Sequence, residues 1–272
     1  MGRGAFPAEP EDGGSLDRAT EALRQSEERL RALQNEFAHL ARLHELGEMA
    51  AAVAHEINQP LTAIANYLNA GCLSVRESTS EALAEARRAM TLAAEQGMRA
   101  GAIIRALRSF ARKTDGTRRR EAADALADSA MVLALIGIDP ADIAVVRTPA
   151  GSGMVEVDSV QIQQVLVNLL RNAVDALRTN PPGAERRLTV ATHDLSDEGI
   201  VQFCIADTGP GIPPEIRGNL FRPFVTSKPK GMGMGLSVCR RIVDAHGGTI
   251  HVESKVGAGT AFTIRLARAA GG

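Results

Sequence analysis

Two stretches of this chain combine residue types that can do chemistry. His55 is followed at once by Glu56 in a run of small residues, and Gln59 lies one helical turn further on, just before Pro60. An imidazole is a nucleophile near neutral pH, and a neighbouring carboxylate can take its proton. The plainer reading of a lone helical histidine is a solvated or packed side chain. In the second stretch Gln161, Gln164, Asn168, Asn172 and Asp175 recur at three- and four-residue spacing. They form one polar stripe on a helix otherwise made of Ile162, Val165, Leu166, Leu169, Leu170, Ala173, Val174 and Leu177. Neutral amides with a single acid suit a face turned toward a ligand or a hydrated cation, which needs oxygen ligands. A merely solvated face is the alternative.

Glycines mark two further places. Asp207 ends an alternating strand and is followed by Thr208, Gly209, Pro210, Gly211 and Ile212. Such a turn lets backbone approach a ligand closely while the acid accepts a hydrogen bond, though it also describes a simple tight turn. Gly231, Gly233 and Gly235 alternate just before a helix led by Leu236, with Lys228 close by as a cation. Alternating glycines at a helix start can cradle phosphates with backbone N–H groups. Neither a P-loop nor a dinucleotide-binding fingerprint is present. The stretch 212–235 reads as a hinged loop that also binds.

The elements that must position these residues follow from periodicity. Residues 1–14, rich in Gly, Pro and acids, read as a flexible tail. Leu16, Ala19, Leu23, Ser26, Leu30, Leu33, Phe37 and Leu40 then trace an a/d seam over a signalling helix at 15–45. The seam slips near residue 40, where the apolar residues move to Leu43 and Leu46. A parallel dimer is favoured over a lone amphipathic helix. The helix is expected to run on to about Ala70, bent at Pro60. A turn is expected over Gly71–Ser80, with Ser78 and Glu81 as a capping box, before a second helix to about Lys113. Residues 46–115 thus form a helical hairpin, and its dimer a four-helix bundle.

Beyond the basic stretch at 113–120 the pattern becomes α/β and continues as one unit, 116–272. Helices are expected at 121–137, 159–178 and 235–246. Strands are expected at 143–148, 154–157, 188–194, 200–206, 249–253 and 260–266.

Composition narrows the field. Of 272 residues, 44% are hydrophobic and 23% charged, enough apolar content for packed cores. A net charge of −1 and 3% aromatics, with no Trp, speak against nucleic acid as a partner. No apolar run is long enough for membrane insertion, and the first residues lack a signal peptide's core. Three scattered cysteines read as reduced thiols in a cytoplasmic protein rather than a zinc or disulfide framework.

The order of these pieces resembles the catalytic core of a two-component sensor histidine kinase. HEINQPL (55–61) resembles its phosphoacceptor box, NLLRNAVDA (168–176) the N-box and DTGPGI (207–212) the G1 box. FRPF (221–224) with TSK (226–228) resembles the F-box, GMGMGL (231–236) the G2 box and GAGT (257–260) the closing glycine motif. The resemblance covers about residue 40 to the C-terminus.

It implies a dimeric hairpin for histidine phosphotransfer followed by a Bergerat-type ATP-binding α/β sandwich. By that resemblance His55 is phosphorylated from ATP and Glu56 is the base. Asn172 holds Mg²⁺ with Asn168 nearby, Asp207 reads the adenine amino group with help from Thr260, and the lid from Ile212 to Gly235 covers the phosphates. Asp175, Gly209, Gly211, Lys228, Gly231, Gly233 and Leu236 complete the expected nucleotide site. Gln59 departs from the Thr or Asn that many relatives with phosphatase activity carry, yet an amide can still orient water. The HExNQPL form is associated with kinases that sense small ligands or redox state.

The implied partners are a second copy, the receiver domain of a response regulator, and a sensor fused or docked at the N-terminal helix. A register change entering near residue 40 is the expected route for its signal. Two other readings compete. Related ATPases such as chaperones and topoisomerases carry a Glu base one turn before the N-box asparagine, where this chain has Asn168. A silent dimeric scaffold would need damage at His55, Glu56, Asn172 or Asp207, and those residues are intact.

Overall fold

The computed structural model describes residues 50–77, 79–111, 116–139, 141–222, 225 and 235–269, with some positions between 18 and 47. Two long helices, α1 (Ala50–Glu77) and α2 (Ser80–Ala111), form the hairpin. The buried seam of α2 is largely alanine: Ala82, Ala86, Ala89, Ala93, Ala100 and Ala106. Small side chains let the two backbones approach closely. Gly71 lies buried at this contact, where a Cβ would stand at ordinary van der Waals distance, 3.6 Å, from the Ala86 carbonyl oxygen and from Ala89 Cβ.

The turn expected over Gly71–Ser80 is accordingly much shorter, because α1 continues through Gly71 to Glu77. The cap is Thr79, whose hydroxyl oxygen accepts from the Ala82 N–H at 3.1 Å. The expected capping box led by Ser78 lies outside the described residues. Pro60 is buried within an unbroken α1. The expected tail and most of the expected coiled coil, with its slip near residue 40, also lie outside the described residues. The positions described there are helical and exposed, and Glu21 pairs with Arg24 at 2.8 Å.

The second part runs β1 (Arg119–Ala122), α3 (Ala123–Ala134), β2 (Ala144–Thr148), β3 (Met154–Val157), α4 (Ser159–Arg178), β4 (Arg187–Leu195) and β5 (Ile200–Asp207). It continues with α5 (Pro214–Arg217), α6 (Gly235–Ala245), β6 (Thr249–Lys255) and β7 (Gly259–Ala267). Five strands form a sheet in the order β2-β4-β5-β7-β6, parallel only between β2 and β4. Every expected strand is present, within two residues of its expected ends. The helix expected at 121–137 is shorter, because Arg119–Ala122 pair antiparallel with β3 in a separate two-stranded sheet.

Helices α3, α4 and α6 supply the apolar layer over the sheet, through Ala127, Leu133, Leu166, Leu170, Leu177 and Val243. On the strands the matching side chains stand in cross-strand rows. Thr192, Phe203, Ile264 and Ile250 form one row, and Val190, Ile205, Phe262 and Val252 the next. The third row is Leu188, Asp207, Thr260 and Ser254, where the sheet turns polar.

Asp124 of α3 ties its helix to the sheet. It accepts from Arg147 at 2.7 Å, from the Ala150 and Gly151 N–H groups at 3.0 and 2.8 Å, and from the Thr192 hydroxyl. Burial works against its charge, but these donors outweigh burial and hold the carboxyl at about 2. The hairpin shares the core: Ile103, Ala106 and Phe110 are buried in it, and Ala52, Val53 and Ile57 pack against it together with Met131, Val132 and Leu135.

Candidate functional site

Helix α4 opens with Asp158 as its cap, the side chain accepting from the N–H groups of Val160 and Gln161 at 3.0 and 3.2 Å. This fixes where the polar stripe starts. Gln164 is buried, Asn168 and Asn172 are half-buried and Asp175 is exposed, so the stripe descends from the core toward solvent. The Asn172 amide donates to Asn168 Oδ1 at 3.0 Å. Gly235, the first residue of α6, lies against this pair, and a Cβ there would sit 2.5 Å from Asn168 Nδ2. The two helices therefore meet at the stripe, which excludes the purely solvated reading.

The second wall is the polar end of the sheet. Asp207 and Thr260 are 8% and 7% exposed and stand opposite each other on β5 and β7. Burial pushes the Asp207 carboxyl above the usual carboxylate range, opposed by hydrogen bonds from the Gly209 and Thr260 N–H groups. The turn after Asp207 is packed with no room for side chains. A Cβ on Gly209 would meet Asp207 Oδ1 at 2.7 Å and Ala176 Cβ at 3.0 Å. Gly211, at φ +76°, passes over the Lys255 carbonyl, which a Cβ would approach to 2.3 Å. The Gly257 N–H donates to the Pro210 carbonyl at 2.8 Å, joining the two glycine motifs. Ile212 donates its N–H to the Ser254 hydroxyl at 2.8 Å. Leu236 is half-buried against the core, and Arg240 stacks over Phe221 at 5.4 Å, anchoring the start of the F-box stretch. Lys228, Gly231 and Gly233 lie outside the described residues.

The phosphoacceptor candidates sit on α1. His55 and Gln59 are exposed and Glu56 is half-buried. The Gln59 amide nitrogen lies 3.0 Å from His55 Nε2. An amide nitrogen only donates, so in this arrangement Nε2 carries the lone pair and Nδ1 the proton. Glu56 Oε2 lies 3.7 Å from Arg99 Nη2 of α2. Ser254 and Arg99 are the additions that sequence reasoning missed. Ser254 has a signal in retrospect, since it continues the period-two inner face of Ile250 and Val252, whereas Arg99 has none.

His246, after α6, bridges back to the start of α4. Its Nδ1 faces the Ile242 carbonyl at 2.8 Å and therefore carries the proton, leaving Nε2 to accept from the Asp158 N–H at 3.1 Å. Burial, helped by Arg118, lowers its pKa, against the raising effects of the Ile242 hydrogen bond and Asp158. The unfolded chain then takes up the proton more readily than the folded one. This contribution is complete above the ordinary value of 6.5 and is lost as pH falls through the lowered folded value. Thermal melts at pH 7.5 and 5.5 should show wild type losing more stability on acidification than His246→Gln. Equal losses would remove His246 from the pH response.

The arrangement is that of a nucleotide-binding α/β unit, with amides on one helix, a buried Asp–Thr pair on the sheet and glycine turns between, attached to a helical hairpin bearing an exposed histidine. Residues 157–270 match the family of histidine kinase-, DNA gyrase B- and HSP90-like ATPases, and residues 45–116 match the His Kinase A (phospho-acceptor) domain. The chain is 38% identical to sensor protein FixL of Bradyrhizobium diazoefficiens, over 89% of this chain and 47% of that protein. It is 37% identical to the C4-dicarboxylate transport sensor protein DctS of Rhodobacter capsulatus, over 93% of this chain and 38% of that protein. Among solved structures, the catalytic domain of histidine kinase ThkA is 30% identical, covering 56% of this chain and 95% of that one with a TM-score of 0.49.

The chain belongs to the histidine kinase family, with a phospho-acceptor hairpin and an ATP-binding domain. It spans about half or less of the length of these curated relatives. Among the described residues no helix is long and apolar enough to cross a membrane.

Proposed function

We propose that this chain is an ATP-dependent protein histidine kinase that phosphorylates itself on His55 and passes the phosphoryl group to an aspartate of a response regulator. One observation carries the reading. The position one turn before Asn172 is Asn168, whose oxygen already accepts from Asn172. An amide cannot take a proton from water, so the nucleotide site lacks a base there for hydrolysis, and a base-equipped acceptor stands on the hairpin instead. The lone pair on Nε2 attacks the γ-phosphorus, an N–P bond forms, and the bond to the β-phosphate oxygen breaks to release ADP. Glu56, turned from Arg99 toward the ring, takes the Nδ1 proton. With a loose transition state, positioning and charge neutralisation carry most of the acceleration.

Asp207 and Thr260 would hold the base, and Gly209, Gly211 and Gly235 leave room that side chains would fill. Asn172, with Asn168, fits the one or two protein oxygens that Mg²⁺ takes alongside phosphates and water. When bound, Mg²⁺ would neutralise phosphate charge, and Lys228 is assigned the same task from the lid. Gln59, beside His55, is suited to holding water during dephosphorylation of the regulator.

The hairpin exposes Leu61, Leu68, Leu73, Leu83, Met90, Met98 and Ile104. Such exposed apolar side chains, Val75 among them, support a homodimer that buries them. The phosphotransfer unit is assigned to 46–115 and the catalytic unit to 116–272. The named relatives are sensor proteins, which supports control of this core by a sensing unit acting through the N-terminal helix.

Incubation with γ-labelled ATP and Mg²⁺ should place acid-labile, alkali-stable phosphate on the protein. Failure to label under conditions where ATP binds would count against autophosphorylation.

A further inference from the structure

Ser254 stands on β6 in the same cross-strand row as Asp207 and Thr260. Its hydroxyl oxygen accepts from the Ile212 N–H at 2.8 Å, donates to the Gly259 carbonyl at 3.1 Å, and lies 2.9 Å from Thr260 Oγ1. A serine hydroxyl has one proton. The geometry at Thr260 allows either hydroxyl to donate, and with the Ser254 proton on Gly259 the bond runs from Thr260 to Ser254. Thr260 has one hydroxyl proton too, so what it turns toward the cavity is lone pairs alone. Beside it stands the Asp207 carboxylate, whose Oδ1 already accepts from the Gly209 N–H at 2.8 Å. The wall at the end of the sheet therefore offers acceptors and no side-chain donor.

We propose that Ser254 is a positioning residue for base selection. By taking the Thr260 proton it makes the wall acceptor-only, so that the wall favours a purine bearing an amino group at C6 over one bearing a carbonyl oxygen there. This rests on the kinase reading of the nucleotide site. Adenine presents N–H donors at that edge. Hypoxanthine is nearly the same size and presents an oxygen, which meets two acceptors and leaves a buried polar group without a partner. In Ser254→Ala the Thr260 hydroxyl is released from its partner and can turn its proton toward such an oxygen.

The test is direct binding, by calorimetry with Mg²⁺, of ATP and of inosine triphosphate to the full chain. Wild type should prefer ATP strongly, and Ser254→Ala should lower the ATP-to-ITP affinity ratio about ten-fold. Ser254→Thr keeps a hydroxyl and should retain the ratio. Ser254→Cys, a weak donor and acceptor, should lower it like alanine and serves if the alanine variant does not fold. Equal weakening of both nucleotides would make Ser254 merely structural and overturn the proposal, as would an unchanged ratio. Failure of wild type to bind ATP at all would instead overturn the kinase reading on which it rests.

Discussion

Exchanging His55 for glutamine should abolish phosphate incorporation from γ-labelled ATP while leaving ATP affinity within about two-fold. The expected separation follows from where the residues sit. His55 is exposed on α1, and its bonded partner is Gln59 on the same helix. The wall bearing Asp207, Thr260 and Ser254 is built from β5, β6 and β7, and the amide stripe from α4. Glutamine is a good helix former of similar reach, so α1 and the core packing of Ala52, Val53 and Ile57 should survive. Glu56→Gln makes the informative companion. It keeps the nucleophile and removes the base, so the rate should fall by about 10²–10⁴, the usual worth of general base catalysis, with the label still appearing slowly. Label that persists in His55→Gln would move the acceptor to another residue and overturn the assignment.

The second large effect is expected at Gly259. Its φ is +103°, and a Cβ there would come within 1.9 Å of the Asp207 carbonyl oxygen. Alanine must pry β7 from β5 at the very rung that carries Asp207 and Thr260. The cost combines a left-handed backbone with a displaced strand end, together about 3 kcal/mol or more. The melting midpoint should drop by roughly 6–12 °C, and ATP binding should weaken about 100-fold. Gly257 provides the control, at φ +76° with nothing within 4 Å of where a Cβ would stand. Gly257→Ala carries only the backbone cost, about 1 kcal/mol, and should lower the midpoint by roughly 2–4 °C with ATP binding nearly intact. Similar losses in both variants would show that backbone conformation, not the close approach to Asp207, governs the site.

How much of this was legible beforehand depends on the range of the interactions. Helix α4 carries its own signal, an apolar body with amides at three- and four-residue spacing, and its ends match expectation. The strands of the main sheet were equally legible, because alternation of Val201, Phe203 and Ile205 with more polar residues is a local pattern. Strand β1 was not, since Arg119–Ala122 is extended only by virtue of pairing with β3, some 35 residues away in sequence. Gly71 read as a turn residue because glycine is a local turn signal, whereas here it lies buried inside α1 beside Ala86 and Ala89 of the other helix. At the site, Asp207 and Thr260 were found through their glycine neighbours. Ser254 has none, and its role appears only when β6 is laid beside β7 in register.

That register has a consequence for how such a domain can change over generations. The rows that fill the core and the row carrying Asp207, Thr260 and Ser254 are successive rungs of one ladder, fixed by the same pairing of β4, β5, β7 and β6. A one-residue slip of β5 or β7 in its pairing register would turn Asp207 or Thr260 to the outer face, and Phe203 and Ile205 or Phe262 and Ile264 with it. The placement of Asp207 and Thr260 is thereby insured by the hydrophobic core, since a lineage cannot lose the one by slippage without unfolding the other. Variation is left to single substitutions on the last rung and to the loops beyond it, where length can drift freely.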